Sequence, residues 1–178
     1  TLLYLSETTI YKSGKLSIAL VCKGALNQTN TNWAQGGIAA VNAISDNFDK
    51  HIEDTLRAGA YTNNKYIVKK VICEAPQLIQ DLIRWGVQFD KNKNDAYDLA
   101  KEGGHSDARI WHKADQTGKS IQEVLIDHTR MLHNVDIFEH SNVIHIQRIE
   151  KSYRSDNIVF PNFQTLCLFS RLRQNPAI

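Results

Sequence analysis

The chain has 178 residues, of which 42% are hydrophobic and 22% are charged, with 21 basic and 19 acidic side chains. This composition is typical of a globular protein that is long enough for one hydrophobic core or for part of a larger fold. The formal net charge of +2 argues against a surface built for nucleic acid, and no apolar run approaches the roughly eighteen residues of a membrane span. We therefore expect neither nucleic acid nor a membrane as a partner.

The cysteines and histidines indicate neither disulfides nor a metal. Cys22, Cys73 and Cys167 are far apart and form no C-x-x-C pair, which fits structural thiols in a reducing, cytoplasmic protein. None of the seven histidines falls into a tight ligand cluster, and His128 and His133 are too loosely placed for a metal pair. The sequence predicts no metal site.

The first elements predict half of a β–α–β unit. Leu2 to Leu5 has the pattern of a helix end near Ser6, and a polar link over 11–15 leads to the apolar run Leu16 to Cys22. The length of that run predicts a buried strand of a parallel sheet. The sequence contains no G-x-G-x-x-G turn, so a dinucleotide fold would carry its first strand and that turn upstream. We expect that the chain begins inside a domain.

A run of small residues, Asn30 to Val41, follows this strand and contains the adjacent glycines Gly36 and Gly37. Without Cβ atoms, two glycines let backbone N–H groups approach a flat or phosphorylated ligand closely. A glycine turn that enters a buried, alanine-rich helix explains the same residues, and the pattern taken alone favours that second interpretation.

Two helices are predicted next. Asp46 and Asn47 offer an N-cap for a helix over 48–58 that Gly59 ends. Its core face recurs every four residues, at Phe48, Ile52 and Leu56. The opposite stripe is either solvated or lines a pocket, and consists of His51, Asp54, Thr55 and Ala58.

Asn63 and Asn64 cap the second helix, which we expect Pro76 to kink or to divide, and which ends at 85–87. Its predicted inner face consists of two adjacent apolar stripes. The first is Ile67, Val71, Ala75 and Leu78, and the second, which widens the face, is Val68, Ile72, Ile79 and Ile83. A polar loop follows over 90–98. After it, the sequence predicts a helix over 119–132 and two strands, over 135–138 and 143–146, joined by a turn at 141–142.

A second glycine pair lies in the stretch Glu102-Gly103-Gly104-His105-Ser106. A carboxylate and an imidazole flanking two glycines can present an acceptor and a titratable donor to a small polar ligand. An exposed turn with scattered polar side chains is the alternative.

Six blocks of the sequence together resemble the L-aspartate oxidases, within the fumarate reductase and succinate dehydrogenase flavoprotein family. A lone A-Q-G-G would be weak evidence, whereas six blocks in family order with similar spacing are strong. The blocks are Val21–Gly24, Trp33–Val41, His51–Leu56 with Ala58–Gly59, Gly86–Asp90, Glu102–Ser106 with Arg109, Ile110 and His112, and Asp115–Gly118. The resemblance covers about residues 1–150 and implies an α/β fold. It predicts an incomplete, Rossmann-like FAD-binding domain of the fumarate reductase type, with added helices, followed by an unassigned tail over 151–178.

The resemblance also implies which residues would bind FAD. They are Lys23, Asn30, Thr31, Asn32, Trp33, Ala34, Gln35, Gly36 and Gly37. Respiratory relatives attach the flavin through a histidine just before A-Q-G-G, and this sequence has none there, so the resemblance implies non-covalent FAD.

The resemblance assigns the substrate site to the second glycine pair. Aspartate oxidases carry a glutamate where relatives restricted to dicarboxylates carry an aromatic residue, and Glu102 stands at that position. Its carboxylate can pair with the α-ammonium group of L-aspartate and would repel succinate. His105 and Ser106 would help to shape the same pocket.

The implied reaction is oxidation of L-aspartate to iminoaspartate with oxygen or fumarate as electron acceptor, the first step of NAD biosynthesis through quinolinate. Quinolinate synthase is the implied protein partner. The family's catalytic arginine and capping domain lie outside this chain, so no catalytic residue is assigned, and we expect the chain alone to bind FAD weakly and to be inactive. A soluble fumarate reductase or succinate dehydrogenase type of flavoprotein, and a non-catalytic remnant of the fold, are the alternatives.

Overall fold

The computed structural model describes residues 2–14, 16–42, 45–155 and 158–171, with side chains as far as residue 145. These residues form two compact units, a terminal unit of Thr1–Gln28 with Leu132–Ile178 and a central unit of Thr29–Met131. The helices are α1 Leu2–Ser6, α2 Thr9–Lys12, α3 Phe48–Ala58, α4 Lys65–Trp85 and α5 Thr117–Met131, with a 3-10 turn at Thr31–Trp33. The strands are β1 Ile18–Val21, β2 Ile38–Ala39, β3 Leu99–Ala100, β4 Ile110–Trp111, β5 Val135–Phe138, β6 Ser141–Ser155 and β7 Ile158–Arg171. None of the helices among the described residues is long and apolar enough to cross a membrane.

A parallel strand pair organises the terminal unit. β1 pairs with β5, Ile18 lying opposite Val135 and Val21 opposite Phe138. This pairing confirms the predicted parallel strand, and α1 confirms the predicted helix end. The predicted burial of the strand is wrong, because Ala19 is exposed and the other three residues of β1 are only half-buried. The predicted link over 11–15 is wrong at its start, because α2 includes Tyr11, whose buried side chain donates a hydrogen bond to the carbonyl oxygen of His133 at 2.6 Å.

The terminal unit continues into an antiparallel ladder between β6 and β7 that pairs Ser141 with Arg171 and Ser155 with Ile158. The predicted turn at 141–142 is wrong, because β6 already begins at Ser141; the chain reverses at His140, whose φ is +51°. Two stretches of the unassigned tail, 151–155 and 158–171, belong to this ladder. Residues 156–157 and 172–178 lie outside the described residues.

The central unit is built around a three-stranded antiparallel sheet in the order β2-β4-β3. Trp111 of β4 is 2% exposed, and its indole N–H donates to the carbonyl oxygen of Ala40 at 3.1 Å. Its ring contacts those of Phe89 and Tyr97 at centroid distances of 5.5 and 4.7 Å. The buried core around it comprises Ala40, Ile79, Val87, Phe89, Trp111 and Ile121.

The two predicted helices of the central unit are confirmed, together with their caps. The Asn47 side chain accepts from the backbone N–H of Lys50 at 2.9 Å at the start of α3, and Gly59 ends that helix. α4 begins after Asn64, runs through Pro76 as one helix, and ends at Gly86 with a φ of +108° that favours glycine.

The predicted inner faces of these helices are partly wrong. Phe48 in the first turn of α3 is exposed, although Ile52 and Leu56 are buried against Ile72 of α4. The stripe of α4 formed by Ile67, Val71 and Leu78 is also exposed, while Ile72 and Ile79 are buried. The two apolar stripes of α4 together form a face that is wider than the part buried by α3 and the core. A burial prediction based on hydrophobicity alone therefore selects too many residues.

Candidate functional site

The A-Q-G-G segment, Asn30–Gly37, lies at the surface of the central unit. Thr31–Trp33 forms a single 3-10 turn, and seven of the eight residues are exposed, with Asn32 half-buried. Trp33 is 78% exposed. The segment continues directly into β2, which pairs with β4, so the interpretation as a turn entering an alanine-rich helix is wrong. Pairing with β4 decides the conformation, since the N–H of Ala40 donates to the carbonyl oxygen of Arg109 at 2.9 Å.

The two glycines of this segment differ in how much space surrounds them. A methyl group added to Gly37 would overlap Cγ2 of Ile110 and the carbonyl oxygen of Trp111, so β4 can pack only against a glycine there. A methyl group on Gly36 would lie 3.9 Å from Oε1 of Glu102, its nearest described atom, which is an ordinary van der Waals distance. The fold therefore explains Gly37, whereas Gly36 leaves a backbone surface open to a ligand.

The start of α5 packs closely against this segment. The N–H of Gly118 donates to the carbonyl oxygen of Ala34 at 2.9 Å, and a side chain on Gly118 would overlap the carbonyl oxygen of Thr31. A cavity of about 280 Å³ lies between the two, lined by Thr31, Ala34, Gly36, Gly37, Ile38, Thr117, Gly118 and Ile121. Its small, mostly apolar lining suits a flat aromatic ring, and its volume suits one portion of a dinucleotide.

The Glu102 loop, Glu102–Ser106, comes next to the A-Q-G-G segment. Its backbone turns through Gly104, with a φ of +90°, and the N–H of His105 donates to the carbonyl oxygen of Glu102 at 3.1 Å. Glu102 itself is exposed, with its carboxylate facing the open side of Gly36. The structure thus brings together the predicted substrate residue Glu102 and the predicted cofactor residue Gly36.

A buried set of ion pairs lies behind the Glu102 loop; we name Asp46, Asp54, Ser106 and Arg109 the Arg109 cluster. Arg109 is fully buried, and its Nε and Nη2 donate to the two carboxylate oxygens of Asp46 at 2.8 and 2.7 Å. Its Nη1 donates to Oδ2 of Asp54 at 2.7 Å. Arg57, at the surface, donates to the other oxygen of Asp54 at 2.6 Å, so two carboxylates balance two guanidinium groups.

Asp54 connects this cluster to the Glu102 loop. Both the backbone N–H and the hydroxyl of Ser106 donate to its Oδ2 at 2.7 Å. Burial alone would raise the pKa of Asp54, but the hydrogen bonds from Ser106 and Arg109 outweigh it and hold that pKa well below its usual range. Asp54 is therefore an anion at neutral pH. On the predicted polar stripe of α3, His51 and Asp54 are buried against the Arg109 cluster, whereas Ala58 is exposed.

His51 and His105 lie beside the cluster with their rings edge to face and centroids 6.1 Å apart. The Nδ1 atom of each is buried and has no hydrogen-bond partner among the described residues. The pKa of His51 is lowered, mainly by burial and then by the charges of Arg109 and His105. The carboxylates of Asp46 and Asp54 act in the opposite direction, but their effect on this pKa is smaller. The neutral form of His51 is favoured in the folded chain.

The remaining predicted site residue, Lys23, belongs to the terminal unit, where it is exposed in the bend that follows β1. The block Gly86–Asp90 lines a larger cavity of about 590 Å³ in the central unit. Asp90 there is paired with Lys113 at 3.0 Å, and the backbone N–H of Ala114 is the main cause of its lowered pKa.

The residues at the site that were not among the predicted site residues include Asp46, Asp54, Arg109, Thr117 and Gly118. All of these except Asp46 lie in blocks that carry the family resemblance, and two had a further signal. Asp54 shares a helical stripe with His51, and Arg109 is a lone cation directly before the apolar pair Ile110 and Trp111, where a buried charge needs partners.

Comparison with known proteins places the chain in a family. Residues 8–167 match the family described as the FAD binding domain, which covers most of the chain. The chain belongs to the FAD binding domain family. This membership confirms FAD as the predicted cofactor. The match also extends beyond residue 150, where the block resemblance ends.

The relatives of this FAD binding domain are L-aspartate oxidases. The chain is 40% identical over 124 residues to L-aspartate oxidase 2-b, chloroplastic, of Nicotiana tabacum, covering 70% of this chain and 19% of that protein. It is 37% identical over 134 residues to the L-aspartate oxidase of Acinetobacter baylyi, covering 75% of this chain and 25% of that protein. The chain therefore spans about a fifth to a quarter of the length of these relatives.

Solved structures confirm the predicted fold. A quinol fumarate reductase of E. coli superposes with a TM-score of 0.72 at 25% identity, covering 77% of this chain and 23% of the other. A further quinol fumarate reductase gives a TM-score of 0.70 at 23% identity. Within this family fold, the open side of Gly36 and the adjacent small-residue cavity are features that fit a flavin.

Proposed function

We propose that this chain is the part of an L-aspartate oxidase that supplies one wall of the FAD site and the loop that recognises the substrate amine. The observation that carries the proposal is the position of Glu102, whose Oε1 lies next to the open side of Gly36. A carboxylate at that position is close to any ring that lies along Gly36, and it can pair with an α-ammonium group held over that ring.

Each residue then has a distinct task. Gly36 and its neighbours in Asn30–Gly37 contact FAD without a covalent bond. Lys23, in the terminal unit, is a proposed cofactor residue on the family resemblance alone. Glu102 binds and orients the α-ammonium group. Its negative charge weakens the binding of a dicarboxylate that lacks this group. His105 and Ser106 shape the loop around Glu102.

FAD, when bound, supplies the two-electron acceptor for the chemistry. L-Aspartate loses a hydride from Cα and a proton from its amino group and becomes iminoaspartate; the electrons pass finally to oxygen, giving peroxide, or to fumarate, giving succinate. Such a reaction would be the first step of NAD biosynthesis, with quinolinate synthase as the partner that consumes the product. A cytoplasmic location rests on the cysteine pattern and is part of the same proposal.

A fumarate reductase or succinate dehydrogenase activity is the second candidate, and the likeness to quinol fumarate reductases favours it. The two candidates differ at Glu102, because a free carboxylate beside the ligand repels succinate and attracts an amine. A non-catalytic remnant of the fold is the third, and a flavin titration separates it from the other two.

Glu102→Gln, made in a full-length flavoprotein that contains this sequence, tests the substrate assignment. The change keeps the shape of the side chain and removes its charge, so the KM for L-aspartate should rise about tenfold or more. Inhibition by succinate should be unchanged or stronger. Equal losses for both ligands would overturn the assignment of Glu102.

A titration of the purified chain with FAD tests the cofactor site. Trp33 is exposed within the A-Q-G-G segment, so a flavin bound there should quench its fluorescence, and Trp33→Phe should remove that part of the signal. We expect weak, reversible quenching and no aspartate-dependent release of peroxide from the chain alone. Tight flavin binding with peroxide release would contradict this expectation. If Trp33→Phe leaves the quenching unchanged, the flavin does not bind at the A-Q-G-G segment.

A further inference from the structure

The Glu102 loop needs an anchor outside itself. It contains two glycines, four of its five residues are exposed, and a glycine-rich backbone loses much conformational entropy when it is held in one position. Within the loop, one backbone hydrogen bond joins His105 to Glu102, and Lys101 donates to the carbonyl oxygen of Ser106 at 2.9 Å. These contacts shape the turn, but they do not fix it to the rest of the central unit.

The anchor is Oδ2 of Asp54. This single oxygen accepts three hydrogen bonds at 2.7 Å, from the N–H of Ser106, from the hydroxyl of Ser106 and from Nη1 of Arg109. Hydrogen bonds to a charged acceptor are about twice as strong as those between neutral groups. The end of the loop is therefore joined to the buried face of α3 by two hydrogen bonds to a charged acceptor.

Asp54 is itself held in place from two sides. Arg57 donates to its Oδ1, and Arg109 is fixed by two hydrogen bonds to Asp46 on its other side. Asp46 alone satisfies the charge of Arg109 with a bidentate pair, so neutralising Arg109 does not require Asp54. The second carboxylate, Asp54, has a separate role, because it accepts both hydrogen bonds from Ser106.

We propose that Asp54 is a positioning residue for substrate recognition: through Ser106 it fixes the Glu102 loop and so places the Glu102 carboxylate beside Gly36. The inference rests on the proposed function for its consequence in catalysis, but the positioning itself is a property of this chain. Ser106 then serves substrate binding by holding Glu102, since its hydroxyl is already donated to Asp54.

Hydrogen exchange on the purified chain tests the positioning. Ser106→Ala removes one of the two donors to Asp54, together with the acceptor of a longer, 3.2 Å hydrogen bond from Arg109. It should increase the exchange of the amides over 101–107 about two- to tenfold. Exchange in α4 should not change, because the variant does not touch the core. Asp54→Asn should increase loop exchange further, and Ser106→Thr, which keeps a hydroxyl, should restore the protection.

Glu53→Gln is the matched control. Glu53 is the neighbouring carboxylate on α3, but it is exposed and accepts from the Tyr61 hydroxyl rather than from the loop. Its removal should leave the exchange of 101–107 unchanged. Unchanged loop exchange in Ser106→Ala, or an increase shared equally by α4, would overturn the proposal.

The catalytic consequence is tested in the full-length flavoprotein. Ser106→Ala should raise the KM for L-aspartate more than it lowers kcat, and Ser106→Thr should reverse the change. If KM and kcat are unaffected while loop exchange increases, the role of Asp54 in substrate recognition is wrong. If Glu102→Gln has no effect on L-aspartate while Ser106→Ala still loosens the loop, the proposed function fails and the positioning by Asp54 stands.

Discussion

The Arg109 cluster and the A-Q-G-G segment lie in the same unit but satisfy their polar groups in opposite ways. In the cluster, a fully buried guanidinium donates three hydrogen bonds of 2.7 to 2.8 Å to two carboxylates and a fourth, of 3.2 Å, to the hydroxyl of Ser106. The segment exposes seven of its eight residues and leaves the side of Gly36 open. The chain thus supports the Glu102 loop with its own side chains, whereas the A-Q-G-G segment leaves an open surface that a ligand can cover.

Removal of the cation should cause the largest loss. Arg109→Met leaves Asp46 and Asp54 buried without their main partner, and should lower the free energy of unfolding by about 3–5 kcal/mol. The matched control is Lys113→Met, because Lys113 is half-exposed and its pair with Asp90 is worth about 0–1 kcal/mol. Urea denaturation followed by circular dichroism measures both. Similar losses in the two variants would mean that the buried cluster contributes no more than a surface pair.

The two glycines of the segment give the next largest difference. Gly37→Ala forces a methyl group into Ile110 and the backbone of Trp111, and should cost about 1–3 kcal/mol of stability. Gly36→Ala should change stability by no more than about 0.5 kcal/mol. In the full-length flavoprotein, however, Gly36→Ala should weaken FAD binding, because the methyl group occupies the open side. Thermal melts with and without FAD separate the two effects, and a stable Gly36→Ala variant with normal FAD affinity would contradict the role of the open side.

The pH dependence of stability should give the smallest effect. The folded chain lowers the pKa of His51 below its usual value of about 6.5, so the unfolded chain binds the proton more readily. The contribution of His51 is therefore complete above about pH 6.5 and is lost as the pH falls through the lowered pKa. Asp54, whose pKa is also lowered, contributes above about pH 3.9 and loses its contribution only below that value.

His51→Gln isolates the first of these contributions. Between pH 7 and pH 5 the wild type should lose more stability than His51→Gln, measured by urea denaturation at each pH, whereas below about pH 4 the two should fall together. Parallel curves over the upper range would show that burial and the charges of Arg109 and His105 do not hold His51 in its neutral form.

Local signals were enough to predict the helices of the central unit. Asn47 with Gly59 and Asn64 with Gly86 mark the ends of α3 and α4, since capping depends on residues within one turn of the helix end. β2, β3 and β4 could not be predicted, because each has two residues and exists through pairing with distant segments. The exposed stripe of α4 was assigned to the core because hydrophobicity does not say how much of a face the neighbouring elements cover.

The candidate site divides in the same way. Gly36 and Glu102 were predicted from motifs, and the structure brings them together. The Arg109 cluster joins Asp46 before α3, Asp54 within α3 and Ser106 after the second glycine pair, with separations of more than 50 residues along the chain. No local pattern specifies such a contact. Sequence analysis therefore named Glu102 and Ser106 as candidate substrate residues, but it did not name Asp46, Asp54 and Arg109, which hold Ser106.

One short strand joins the polar and apolar halves of the central unit. The backbone of Arg109 bonds to both Ala100 and Ala40, and two residues later the Trp111 side chain forms the middle of the apolar core. The ion pairs and the core should therefore open in one cooperative step rather than as separate subdomains. Trp111 fluorescence then reports on both at once: exposure of the tryptophan and loss of the Arg109–Asp46 pair should follow the same unfolding curve.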